Sequence, residues 1–207
     1  MSFTIRMQLL ARFLSYLFHP LFSPLLLVFI LFQLPIYHSY KLSEELRMFV
    51  YSVVFLNLIL APSLALMYLK KRKIIDSLSI PEVKQRPITF FISSIFYILT
   101  YYLLENIPLP AVYLSMYKGA CLVVVCLFVL STLGYKASAH LAAMGGICGV
   151  LIVTTLALRI DTSILLVVFI VLSGLVCSSR MGTKANNLGE LGIGFFLGLG
   201  MQLILNL

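Results

Sequence analysis

The stretch YKASAHLAAMGGICGVLIVTTLAL, Tyr135 to Leu158, carries no lysine, arginine or carboxylate after Lys136. From Ala139 onward it supplies the roughly 20 apolar residues that a helix needs to cross a hydrocarbon core about 30 Å thick. His140 stands at the mouth of that run, with Lys136 and Ser138 just before it. A greasy helix that opens on a lysine, a serine and a histidine sets both the fold class and the place to look for chemistry.

The same criterion, applied outward along the chain, predicts spans at about 20–37, 47–69, 88–104, 111–133, 139–158, 162–178 and 188–206. Of the 207 residues, 61% are hydrophobic and 11% charged, against about a quarter charged in a soluble domain. The expectation is an all-α, polytopic transmembrane helical bundle of six to seven spans, forming a single integral membrane domain over 1–207. Residues 3–18, with Arg6 and Arg12 among leucines and aromatics, read as an amphipathic interfacial helix that leads into the first span at His19-Pro20. No small-residue cleavage site follows, so this segment is expected to be retained.

The formal charge of +8 and pI near 9.4 fit basic loops beside membrane helices and attraction to anionic lipid, not a nucleic-acid partner. Cys121, Cys126, Cys148 and Cys177 lie in apolar runs without CxxC spacing and read as small buried hydrophobes. The three histidines are scattered and the seven carboxylates form no ligand set, so neither a metal nor another cofactor is expected.

Counting crossings places the loops 70–88, 134–138 and 179–187 on one membrane face. Of the fifteen Lys and Arg residues, only Lys41, Arg47, Lys118 and Arg159 fall on the other. By the positive-inside rule the basic face is cytoplasmic, and the expected setting is a bacterial cytoplasmic (inner) membrane.

Three clusters share that face: Lys84, Arg86 and Pro87; Lys136, Ser138 and His140; Arg180, Lys184, Asn186 and Glu190. A cation at the bilayer centre costs on the order of 2.5–3.5 kcal/mol, so cations gather near the hydrocarbon only where water or an anion compensates them. A phosphate ester suits the set: guanidinium groups match its oxygens bidentately, and lysine adds a compact charge. The start of the 139–158 helix offers backbone N–H groups around Ser138 to the same anion, and His140 stands ready to protonate a departing alkoxide. His19 and His38 are left outside the site, His19 as a helix-start residue beside Pro20. Gly145 with Gly149, and Gly194 with Gly198, are each four apart, the spacing that lets membrane helices approach closely.

Taken together, Arg86-Pro87, the KASAH motif ending at His140, and SRMGTKANNLGE from Ser179 to Glu190 resemble the type 2 phosphatidic acid phosphatase superfamily, whose members hydrolyse lipid phosphates and pyrophosphates. The resemblance implies a phosphatase-like core over about 84–207. It also implies phosphate binding by Arg86, Ser138 and Arg180, with His140 as general acid; Lys84, a substitute for the first-motif lysine, and Lys136 join them from the basic clusters. The chain departs from the family pattern at Ser79, where the first-motif lysine would stand, and at Ala137 and Ala139 in the second motif. Asn186 occupies the place of the nucleophilic histidine, and Glu190 that of the aspartate which orients it.

An amide is a poor nucleophile because its nitrogen lone pair is delocalised. The expected function is therefore binding of a lipid phosphate or pyrophosphate head group within the bilayer, with little or no hydrolysis. Two alternatives stay open: a phosphatase or phosphotransferase with an altered nucleophile such as Glu190, and a structural or transport subunit. No protein partner is indicated.

Overall fold

The structure is a computed structural model that describes residues 18–34, 42–76 and 83–207. The expected interfacial helix at 3–18, with Arg6 and Arg12, falls almost wholly outside the described residues, as does Ser79. Seven helices are described: α1 (Ser23–Gln33), α2 (Glu44–Lys71), α3 (Arg86–Glu105), α4 (Ala111–Thr132), α5 (Ala139–Leu158), α6 (Ser163–Gly182) and α7 (Leu188–Asn206). Among the described residues there is no strand. Six of the helices, α2 to α7, are long and apolar enough to cross a membrane, and the chain is an all-helical integral membrane protein.

The expected first span, 20–37, is corrected over the described residues, outside which 35–37 lie. α1 has 11 residues, about 16 Å at 1.5 Å per residue, roughly half a hydrocarbon core. Other boundaries move for local reasons. Ser43 caps α2, its hydroxyl accepting from Leu46 N–H at 3.2 Å, so helix begins at Glu44, where two glutamates complement the positive end of the helix dipole. α6 continues past its apolar run to Gly182 and so carries Arg180 in its last turn.

The chain divides into two compact units, Pro24–Lys136 and Met1–Ser23 with Ala137–Leu207. In the first, α2 contains a π turn at Leu56–Leu60. Pro62 has no N–H and its ring crowds the carbonyl of Leu58, so the ladder widens and Ala61 N–H donates to Leu56 O, five residues back. Lys73 then takes a left-handed conformation (φ 58°), and Ile74 N–H donates to Leu69 O at 3.0 Å. This turn sends Ile75 back onto Leu66 and Leu69, where Ile88 and Ile92 of α3 complete a buried cluster. Phe32 of α1 sits edge-on to both Tyr51 and Tyr113, at 5.3 and 5.6 Å. Tyr97 and Tyr117 stack between α3 and α4 at 6.0 Å.

In the second unit α5 is the central helix, buried on nearly every side, as expected of a sequence apolar all round. α7 lies against it through glycines. A β-carbon at Gly145 would run into the backbone carbonyl of Phe195, at Gly194 into that of Ser138, and at Gly198 into that of Ala142. The α5–α6 connection satisfies its own polar groups: the Thr162 hydroxyl donates to Leu151 O at 2.9 Å and lies 2.8 Å from the Thr155 hydroxyl.

Adjacent glycines on α5 provide a test. Gly146 faces open space, so Gly146→Ala should leave stability unchanged or raise it by up to about 1 kcal/mol through helix propensity. Gly145→Ala should lower it by about 1–3 kcal/mol, since backbone on α7 must move. Thermal unfolding in detergent would show opposite shifts of the midpoint, and equal shifts would mean that α5 and α7 do not meet at Gly145.

Candidate functional site

At one end of the second unit the start of α5, the end of α6 and the start of α7 come together. Beneath them Leu141, Val176 and Leu191, one from each helix, form a buried cluster with Phe18, Cys177 and Phe195. Each of these three helix residues is one to four positions from a polar residue of the site. The apolar floor thus fixes where those polar groups stand.

Lys184 shapes the α6 end. It adopts the left-handed conformation (φ 54°), its N–H donates to Met181 O at 2.9 Å, and Ala185 N–H reaches back to Arg180 O at 3.0 Å. This reversal returns Asn186 beneath Arg180, where the Asn186 Oδ1 accepts from Arg180 Nε at 3.2 Å and from Nη2 at 3.0 Å. On its other side Asn186 Nδ2 donates to Glu190 Oε2 at 2.7 Å. The amide can point only one way, because a guanidinium has only donors and a carboxylate only acceptors. Asn186 is buried, and its dipole bridges a cation and an anion.

Glu190 is held from a second direction. Asn187 caps α7, its Oδ1 accepting from Glu190 N–H at 2.8 Å, while Glu190 accepts from Asn187 N–H at 3.3 Å and from Asn187 Nδ2 at 3.2 Å. This reciprocal capping box keeps the carboxylate at the helix N-terminus, where the dipole favours negative charge. Glu190 O in turn accepts from Ser138 N–H at 3.0 Å, tying the α7 start to the α5 start.

Ser138 and His140 are both buried. Ser138 caps α5, its hydroxyl accepting from Leu141 N–H at 3.5 Å. Of the backbone N–H groups around Ser138 that were expected to meet an anion, that of Ser138 itself is engaged by Glu190 O, and farther into the helix Leu141 N–H is engaged by the Ser138 hydroxyl.

The sequence reading missed His19. Its ring meets that of His140 edge-on, with centroids 5.2 Å apart. Burial, and then the charge of Arg180, hold its pKa below the ordinary value. It is also the helix-start residue it was expected to be, with Nδ1 accepting from Leu21 N–H at 3.3 Å. Nothing local in the sequence links it to a partner 121 residues away.

The chain matches no family model, no curated protein and no solved structure.

Of the expected site residues, Ser138, His140, Arg180, Asn186 and Glu190 lie together at this end of the second unit. Lys84, Arg86 and Lys136 belong to the first unit. There Lys84 is exposed in a short 3-10 turn (Val83–Gln85), Arg86 is partly buried as the first residue of α3, and Lys136 is partly buried after α4. Lys184, exposed in its turn, serves the backbone. Among the described residues, no three His, Cys, Asp or Glu side chains gather to hold a metal ion.

Proposed function

We propose that this chain binds a lipid phosphate or pyrophosphate head group at the His140 and Arg180 end of its second unit, with little or no hydrolysis. It would do so as a member of the type 2 phosphatidic acid phosphatase fold, from the cytoplasmic face of a bacterial inner membrane. The observation that carries the proposal is the Arg180–Asn186–Glu190 relay. It holds the partly buried Arg180 guanidinium by one edge, near His19, whose ring meets that of the buried His140. Pre-orienting a guanidinium in this way lowers the entropy lost when it binds a phosphate.

Hydrolysis is disfavoured by the same relay. The nucleophile position holds an amide whose oxygen already faces Arg180. An acyl phosphate on Glu190 would require that carboxylate to give up its bonds from Asn186 and Asn187.

The test is a titration of the purified chain in detergent with short-chain phosphatidic acid and with phosphatidylcholine of the same chain length, alongside a phosphate-release assay. Saturable binding of the first lipid alone, with release at background, is the expected result. Saturable binding of neither would sink the proposal.

A further inference from the structure

His19 lies in a turn that is anchored on both sides. Phe18 packs into the Leu141, Val176 and Leu191 cluster under the site. Beyond it, Phe22 N–H donates to His19 O at 2.9 Å and the Ser23 hydroxyl to Pro20 O at 2.8 Å. The imidazole is thus positioned by backbone and core, not by a loose side chain. An Nδ1 that accepts from Leu21 N–H carries no proton, so the neutral ring carries its proton on Nε2. The titratable and charged groups around it at this end are His140 on α5, Arg180 on α6 and, through Asn186, Glu190 on α7.

From this arrangement we infer that His19 is a ligand of the anion site, donating its Nε2–H as a neutral hydrogen-bond donor to a phosphate oxygen bound at Arg180. The inference rests on the lipid-phosphate reading and adds a residue, supplied by the segment before α1, that the family pattern does not contain. The chemistry favours a neutral donor here. A second cation beside Arg180 would repel it in a low-dielectric setting, whereas an imidazole N–H adds direction without charge. The depressed pKa of His19 agrees, since burial and Arg180 both oppose its protonation.

Two measurements on the full chain test this, both with short-chain phosphatidic acid as the probe. In detergent, ¹⁵N spectra of histidine-labelled protein should show His19 as the Nε2–H tautomer at neutral pH, with its Nε2 resonance shifting as lipid saturates the site. His19→Asn should weaken binding about three- to tenfold, the effect of losing one neutral hydrogen bond, because its amide nitrogen stands where the ring Cδ2 was and falls short of the Nε2 position. That variant keeps the turn, because an asparagine oxygen also accepts from the N–H two residues on, and its unfolding midpoint should match wild type. His19→Ala, which loses both turn bond and donor, should bind no better than His19→Asn. Wild-type binding with an unmoved His19 resonance, or equal affinity in His19→Asn, would overturn the inference while leaving the lipid site standing. Failure of the wild type to bind would overturn both.

Discussion

Arg180→Ala should weaken binding of short-chain phosphatidic acid by about 10- to 100-fold. Losing a charge-assisted hydrogen bond costs roughly 1.5–3 kcal/mol, and each 1.4 kcal/mol is a factor of ten. The guanidinium is partly buried and braced by two bonds to Asn186 Oδ1, so its removal takes away an oriented group and strands an amide oxygen. Lys70→Ala is the comparison. Lys70 is an exposed residue in the last turn of α2, and its loss should cost no more than about fivefold, the scale of one solvent-exposed charge pair. Arg180→Lys should recover little, because an ammonium lacks the planar edge whose Nε and Nη2 both donate to Asn186 Oδ1. Equal losses for Arg180→Ala and Lys70→Ala in the same titration would mean that the attraction is diffuse and that no defined site exists.

The parts of this molecule that could be read from sequence are those in which composition acts over a whole helix. α5 has the span expected for it, Ala139–Leu158, because twenty residues that are apolar but for His140, Thr154 and Thr155 leave the backbone no other way to satisfy its hydrogen bonds in lipid. α1 was misjudged for the opposite reason. Hydropathy runs on past Gln33 to residue 37, but Pro35 disfavours helix at the residue before it, and an apolar average does not register that local stop.

Within the site, the meeting of the α5 start, the α6 end and the α7 start follows from counting crossings. The pairing of Arg180 with Asn186 does not. It depends on a left-handed Lys184, a conformation usually signalled by glycine or asparagine and carried here by a lysine. Asn187 and Glu190 do carry a legible signal, the capping-box spacing, which the comparison of Glu190 with an orienting aspartate obscured. His19 has no signal at all, because a contact between distant residues made through a shared core leaves no trace in local pattern.

On the phosphatase-fold reading proposed above, the largest effect should come from placing a histidine at position 186. Wild-type protein should form no phosphohistidine and release phosphate from lipid substrates at background, whereas Asn186→His combined with Glu190→Asp should raise release by about a hundredfold or more, the scale of a positioned catalytic group. The geometry favours this pair of changes. Asn186 Nδ2 already donates to Glu190 Oε2 at 2.7 Å, so an imidazole at 186 can give its Nδ1–H to the same carboxylate and turn Nε2 toward the place where Oδ1 now faces Arg180. Shortening Glu190 to aspartate makes room for the larger ring, and position 186, just before the Asn187 cap, stays beside the first turn of α7. His140, 5.2 Å from His19 and buried at the α5 start, would then have a leaving group to protonate. Phosphate release and an acid-labile phosphoryl label should be measured on both proteins under identical conditions. Substantial wild-type turnover would overturn the binding-only reading, and a folded double variant that binds lipid phosphate but forms no label would remove position 186 as the site of the lost nucleophile.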